Sequence, residues 1–125
     1  MKYKIIMFIN SVLAVLTGMV CMIIPRMVLN TYDVTLSEMG IVIYQFWGTS
    51  LFGLGLLSWF LKNITEFNLQ KKIVTAFFIT NGLSCLIAVR GQFAGANIIG
   101  WSTVAIYFML SVLFGLIFFI KNKTD

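Results

Sequence analysis

Asn10, Thr17, Thr49, Thr80 and Asn81 are polar side chains set inside long apolar runs of a 125-residue chain. Carboxamides and hydroxyls carry no charge, so the chemistry open to them is bonding between helices or lining a small polar cleft. Counting about 1.5 Å per residue from the inner boundary of the runs puts Asn10 roughly 8 Å deep and Asn81 roughly 12 Å deep, within reach of a direct or water-bridged bond. Bonds of this kind contribute on the order of 0.6 to 2 kcal/mol. A second group, Gln45, Arg90, Gln92 and Trp101, falls near the opposite ends of the runs, where it would shape a shallow pocket at the outer rim.

Other chemistries lack parts. There is no histidine, the four acidic residues all lie outside the apolar runs, and no metal-ligand spacing occurs. No catalytic, metal-binding or cofactor-binding residue is therefore assigned, and the expectation is a protein that is not an enzyme. Proton-coupled export would want a carboxylate within a span, and that position is empty. Asp33, Glu38 and Arg90 sit where a surface ion pair is the simple expectation. Cys21 and Cys85 fall at nearly the same depth, so a disulfide is geometrically conceivable, but without a C-x-x-C pair they read as small apolar fillers.

The elements that hold these residues follow from composition. Hydrophobic residues make up 60% of the chain and charged residues 10%, with a mean hydropathy of +0.98. Both a soluble domain, at about 25% charged, and a disordered chain are excluded. Residues 5–24, 40–61, 73–89 and 98–120 contain no charge at all, and runs near 20 residues are what a bilayer core about 30 Å thick demands of a helix. The expected fold is all-α: a four-helix transmembrane bundle, antiparallel and up-down-up-down, forming one domain over residues 1–125. The third run is the shortest, and its helix is expected to continue past Lys72.

Lysine and arginine set the orientation. Lys2, Lys4, Lys62, Lys71, Lys72, Lys121 and Lys123 fall on one side of such a bundle, Arg26 and Arg90 on the other. The positive-inside rule then places both termini in the cytoplasm. The net charge of +5 becomes a cytoplasmic lysine collar touching anionic headgroups, with no nucleic acid needed as a partner. Membrane lipid is the expected partner, with a protein partner or a second copy of the chain beside it. Lys2 and Lys4 before an apolar stretch resemble a secretion signal, yet the stretch is too long and lacks a small-x-small site, so it is kept as the first helix. Val20 before Cys21 argues against a lipoprotein. Tyr32, Tyr44, Trp47, Phe93 and Trp101 form an outer aromatic belt, and Tyr3, Trp59, Phe60 and Phe67 an inner one.

Local patterns sharpen the ends and faces. Thr35 to Glu38 reads as a capping box starting the second helix near Leu36. Asn97 is placed to cap the fourth helix, and Pro25 ends or kinks the first. The acceptor patterns at residues 63–65 and 122–124 fall on the cytoplasmic side, where they would be chance matches. Small pairs let helix backbones approach: Ala14 with Gly18, Thr49 with Gly53, Ser84 with Ala88, and Ser111 with Gly115. Asn10, Ala14, Thr17 and Cys21 line one face of the first helix, and Asn81, Ser84, Cys85 and Ala88 one face of the third. Both stripes are expected to face the bundle interior.

The run from Gln45 through Trp47, Gly48, Gly53 and Gly55 to Trp59 resembles one shared by small bacterial four-helix integral membrane proteins. So does the stretch Gly91, Gln92, Gly95, Asn97, Gly100, Trp101, Ser102, Thr103 and Tyr107, with Pro25, Tyr32 and the pair Asn81 and Gly82 in similar relative places. The resemblance implies a bacterial inner (plasma) membrane location and carries over no activity. Two functional classes follow: an accessory or envelope component acting through helix packing, or a small transporter, channel or lipid-binding protein with a polar cleft between helices.

Overall fold

The computed structural model describes residues 2–95 and 97–123, and side chains through residue 119. The side chains of Lys121 and Lys123, and the acceptor pattern ending at Thr124, lie outside the described residues. The chain is all-helical: α1 Lys2–Ile23, α2 Pro25–Thr31, α3 Glu38–Leu61, α4 Phe67–Phe93 and α5 Gly100–Lys123. Four of these are long and apolar enough to cross a membrane. Large apolar side chains face outward along them, among them Phe46 at 68% and Ile87 at 71% exposure. Water would penalise such a surface, and lipid would not.

Two compact units make up the chain, one of Met7–Lys62 and one of Met1–Ile6 with Asn63–Asp125. In the first, α1 and α3 meet at glycines. A Cβ built on Gly18 would lie 2.6 Å from Phe52 N and 2.7 Å from Gly48 O, and one on Gly55 would lie 2.7 Å from Val15 N. Only hydrogen fits there. In a bilayer, lipid tails would give apolar side chains no reason to prefer one another, and the gain would come from this close backbone approach.

The contacting face of α3 differs from the expected one. Gly53 meets nothing within 4 Å, whereas Gly48 and Gly55 sit against α1. Two residues on, at about 100° each, an α-helix has turned to its far side, so Gly53 and Gly55 cannot share a partner. On α1 the buried stripe runs through Met7, Asn10, Ser11, Ala14, Gly18 and Cys21, and Thr17 is exposed. The stripe alternates steps of three and four, passing through Gly18 where Thr17 was expected.

Of the two expectations for Pro25, the chain takes the first and adds a helix of its own. Pro25 ends α1 and, with its fixed φ, opens α2 as the first helical residue. Ile24, at φ −128° and ψ 55°, is the single non-helical residue between them, yet it donates to Val20 O at 3.0 Å and accepts from Val28 N at 3.2 Å. Ile24 thus keeps its main-chain bonds on both sides. Beyond α2, Asp33 takes a positive φ of 54°, a conformation that Asp tolerates better than most residues, and Val34 N closes onto Leu29 O at 3.0 Å.

The cap of α3 also moves. Ser37, not Thr35, accepts from Gly40 N, at 3.1 Å. Glu38 is the first helical residue, too early to complete a box with Thr35, and its carboxylate pairs instead with Arg26. An acid in the first turn also complements the helix dipole.

The second unit packs α4 against α5. Phe77 stacks on Phe114 with centroids 5.2 Å apart, and Val74, Leu110, Phe114 and Ile117 are buried. Gly115 receives the Phe78 ring, and Gly82 faces Ser111. As expected, α4 outruns its charge-free run, taking in Lys71, Lys72 and Arg90. Long basic side chains let a helix continue into a polar layer. α5 begins at Gly100, whose N–H goes to the Asn97 main-chain carbonyl at 3.0 Å, so Asn97 serves that helix through its backbone.

Candidate functional site

The deepest polar contact joins α1 to α3. Asn10 Nδ2 donates to Ser58 Oγ at 2.7 Å, and Ser58 in turn donates to Leu54 O at 3.0 Å. Asn10 is 5% exposed and Ser58 fully buried. The close glycine contact brings the pair together, since Ser58 lies one turn past Gly55 on the same face of α3. Asn81 behaves differently. Its Nδ2 donates to Phe77 O of its own helix at 2.8 Å, the back-bonding that short polar side chains adopt within helices. Asn10 thus bonds across to α3, and Asn81 bonds within α4.

A second polar cluster sits where α1 ends. Helix C-termini leave carbonyls without donors, and Pro25 has no N–H to offer. Gln45 Nε2 reaches across from α3 to Met22 O at 2.9 Å. The Thr49 hydroxyl lies 3.0 Å from Gln45 O and 3.1 Å from Met22 Sδ, with one proton to share between them. Cys21 Sγ lies 3.2 Å from Tyr44 OH, and the Tyr44 and Trp47 rings are 5.4 Å apart. Both Cys21 and Cys85 are free thiols. Nearby, the exposed pair Arg26 and Glu38 ties α2 to the start of α3, so the rim cation that finds an acid is Arg26.

At the far end of the same unit, Lys62 Nζ stands over the Trp59 ring and lies 5.9 Å from the Phe8 ring centroid. The Phe8 and Trp59 rings are themselves 5.8 Å apart. A cation over a tryptophan face is worth about 0.5 to 2 kcal/mol.

The remaining candidates divide between the two units. Thr17 and Thr49 belong to one and are exposed; Thr80 belongs to the other and is exposed too. Of the rim group, Gln45 is held by Met22, and Gln92 Nε2 donates to Asn97 O at 3.0 Å. Arg90 and Trp101 are exposed. Among the described residues no group of three or more His, Cys, Asp and Glu is placed to hold a metal ion.

One open groove lies on α4, lined by Asn68, Lys71, Lys72 and Thr75. Their i, i+3, i+4, i+7 spacing was in the sequence to be read, but these lysines counted there as an orientation signal and as part of a diffuse collar, with no local site assigned. Ser58 was missed as well, since its importance follows from which glycines of α3 meet α1. The chain matches no family model, no curated protein and no solved structure.

Proposed function

We propose that the chain is a non-enzymatic integral membrane protein that acts through helix packing, as an accessory or envelope component. The observation that carries this reading is where the polar groups of its apolar helices go. Asn10 bonds to Ser58, Gln45 to the Met22 carbonyl and Asn81 to the Phe77 carbonyl. The first two bonds act as glue between α1 and α3, and Asn81 is spent on its own helix, so little is left over to line a path. The lysine bias supports an up-down-up-down bundle with both termini in the cytoplasm. Contacts of Asn10 with Ser58, Val15 with Gly55 and Met22 with Gln45 run in opposite directions along α1 and α3, as an antiparallel pair requires. The resemblance carried by Gln45 to Trp59 supports the bacterial inner membrane as the location.

Three measurements test this. The protein should stay in the membrane pellet under alkaline carbonate, and tags at either end should be unreachable from outside intact cells. Reconstituted vesicles should pass neither small ions nor small amphiphiles. Flux that disappears on Asn10→Leu or Asn81→Leu, in variants that still assemble, would favour a transporter or channel and overturn the packing reading.

A further inference from the structure

We infer that the groove on the first turns of α4 binds the phosphate group of an anionic lipid. The inference rests on the membrane reading above and adds a ligand to it. Asn68, Lys71, Lys72 and Thr75 line the groove, and their spacing stacks them on one helical face. Lys71 and Lys72 bring two positive charges to the groove, and a phosphate there is attracted by both. Each ammonium brings three donors to a phosphate, and Asn68 brings a carboxamide N–H. The Thr75 hydroxyl, which donates to Lys71 O at 2.8 Å, has one proton and would turn it toward the ligand. Between Lys62 and Thr75 the single acid is Glu66, so the local balance favours an anion.

Depth selects a lipid over a soluble phosphate. The charge-free run begins at residue 73, directly after the two lysines. The groove therefore straddles the level at which polar surface gives way to apolar surface. A phospholipid has its phosphate at that level and its chains below, where Ile79, Leu83 and Leu86 are exposed. On the proposed topology this is the cytoplasmic leaflet, where anionic lipids give a negative surface potential.

The test is lipid retention by the full chain in mild detergent, offered equal phosphatidylcholine and phosphatidylglycerol and read by native mass spectrometry. Wild type should retain phosphatidylglycerol selectively. K71Q/K72Q should lose it by roughly a hundredfold, about tenfold for each charged hydrogen bond to the phosphate that is removed. K2Q/K4Q removes the same charge elsewhere and should lose no more than a few-fold; equal losses in the two variants would replace the groove with a diffuse collar and overturn the proposal. N68L/T75V keeps the charge and should still weaken retention, and no change there would also count against a built site. Glycerol phosphate binding as tightly as the lipid would overturn the lipid assignment. All variants must resist carbonate extraction and keep wild-type helical dichroism. Wild type that washes off defeats the membrane reading, whereas integrated protein whose retention ignores Lys71 and Lys72 defeats the groove alone.

Discussion

Gly18→Ala is the sharpest perturbation of the α1 to α3 contact. The added methyl would stand 2.6 Å from Phe52 N, 2.7 Å from Gly48 O and 2.9 Å from Phe52 Cα. All three are main-chain atoms, which cannot swing aside as the tip of a side chain does. Ordinary contact starts near 3.4 Å, so the helices must part by roughly 0.8 Å. Overpacking of this kind costs about 1 to 3 kcal/mol. The same parting draws the 2.7 Å bond between Asn10 and Ser58 toward the limit of hydrogen bonding, forfeiting about another 0.6 kcal/mol. Alanine returns up to about 1 kcal/mol in helix propensity, so the expected net loss is roughly 0.5 to 2.5 kcal/mol. Gly53→Ala is the control on the same pair of helices. Its methyl meets nothing within 4 Å, and alanine gains up to about 1 kcal/mol in helix propensity, so the change is neutral or stabilising. Unfolding in mixed micelles by titration with a denaturing detergent, followed by the fluorescence of Trp47 and Trp59, reads both. If the two variants unfold at the same detergent fraction, the backbone contact at Gly18 does not hold α1 to α3.

Smaller effects test the rest. A double-mutant cycle on Asn10→Ala and Ser58→Ala should give a coupling energy of about 0.6 to 1.7 kcal/mol in the same titration, and a coupling of zero would remove the bond. Thr17→Val and Thr80→Val should each shift stability by no more than about 0.5 kcal/mol, because both side chains are exposed. Arg26→Ala should cost less than about 1 kcal/mol and lose that difference in high salt, as an exposed ion pair does. Mass spectrometry after alkylation should count two thiols with and without reductant, and a gain on reduction would contradict the free Cys21 and Cys85.

The positions of the four long helices were legible because lipid imposes a strict rule on length and charge. Residues 40–61 of the sequence reading became Glu38–Leu61, and residues 73–89 became Phe67–Phe93. Charge-free runs mark the apolar core of a helix, whereas its ends are set by caps and by lysines that tolerate a polar layer. That is why Ser37 was passed over for Thr35, and why α4 proved longest. α2 was half legible: Pro25 announced a break, but not that a seven-residue helix would begin with it. The faces were harder. α3 carries Gly48, Gly53 and Gly55, and only a partner backbone decides which of them matter. Ser58 became visible as the partner of Asn10 once Gly48 and Gly55 were known to touch α1. The four residues of the groove on α4 stand on one helical face and were spaced for it all along.

The bond from Gln45 to Met22 O spans 23 residues of chain, and this bears on how the protein is made. α1 leaves the ribosome ahead of Gln45, so on the proposed membrane topology its last turn would reach the bilayer with a carbonyl served by water or headgroups at best. That debt is cleared when α3 arrives beside it. The smallest portion of newborn chain with this helix end completed from within is thus the first hairpin, and a translocation machinery that released α1 alone would let go of an unfinished part.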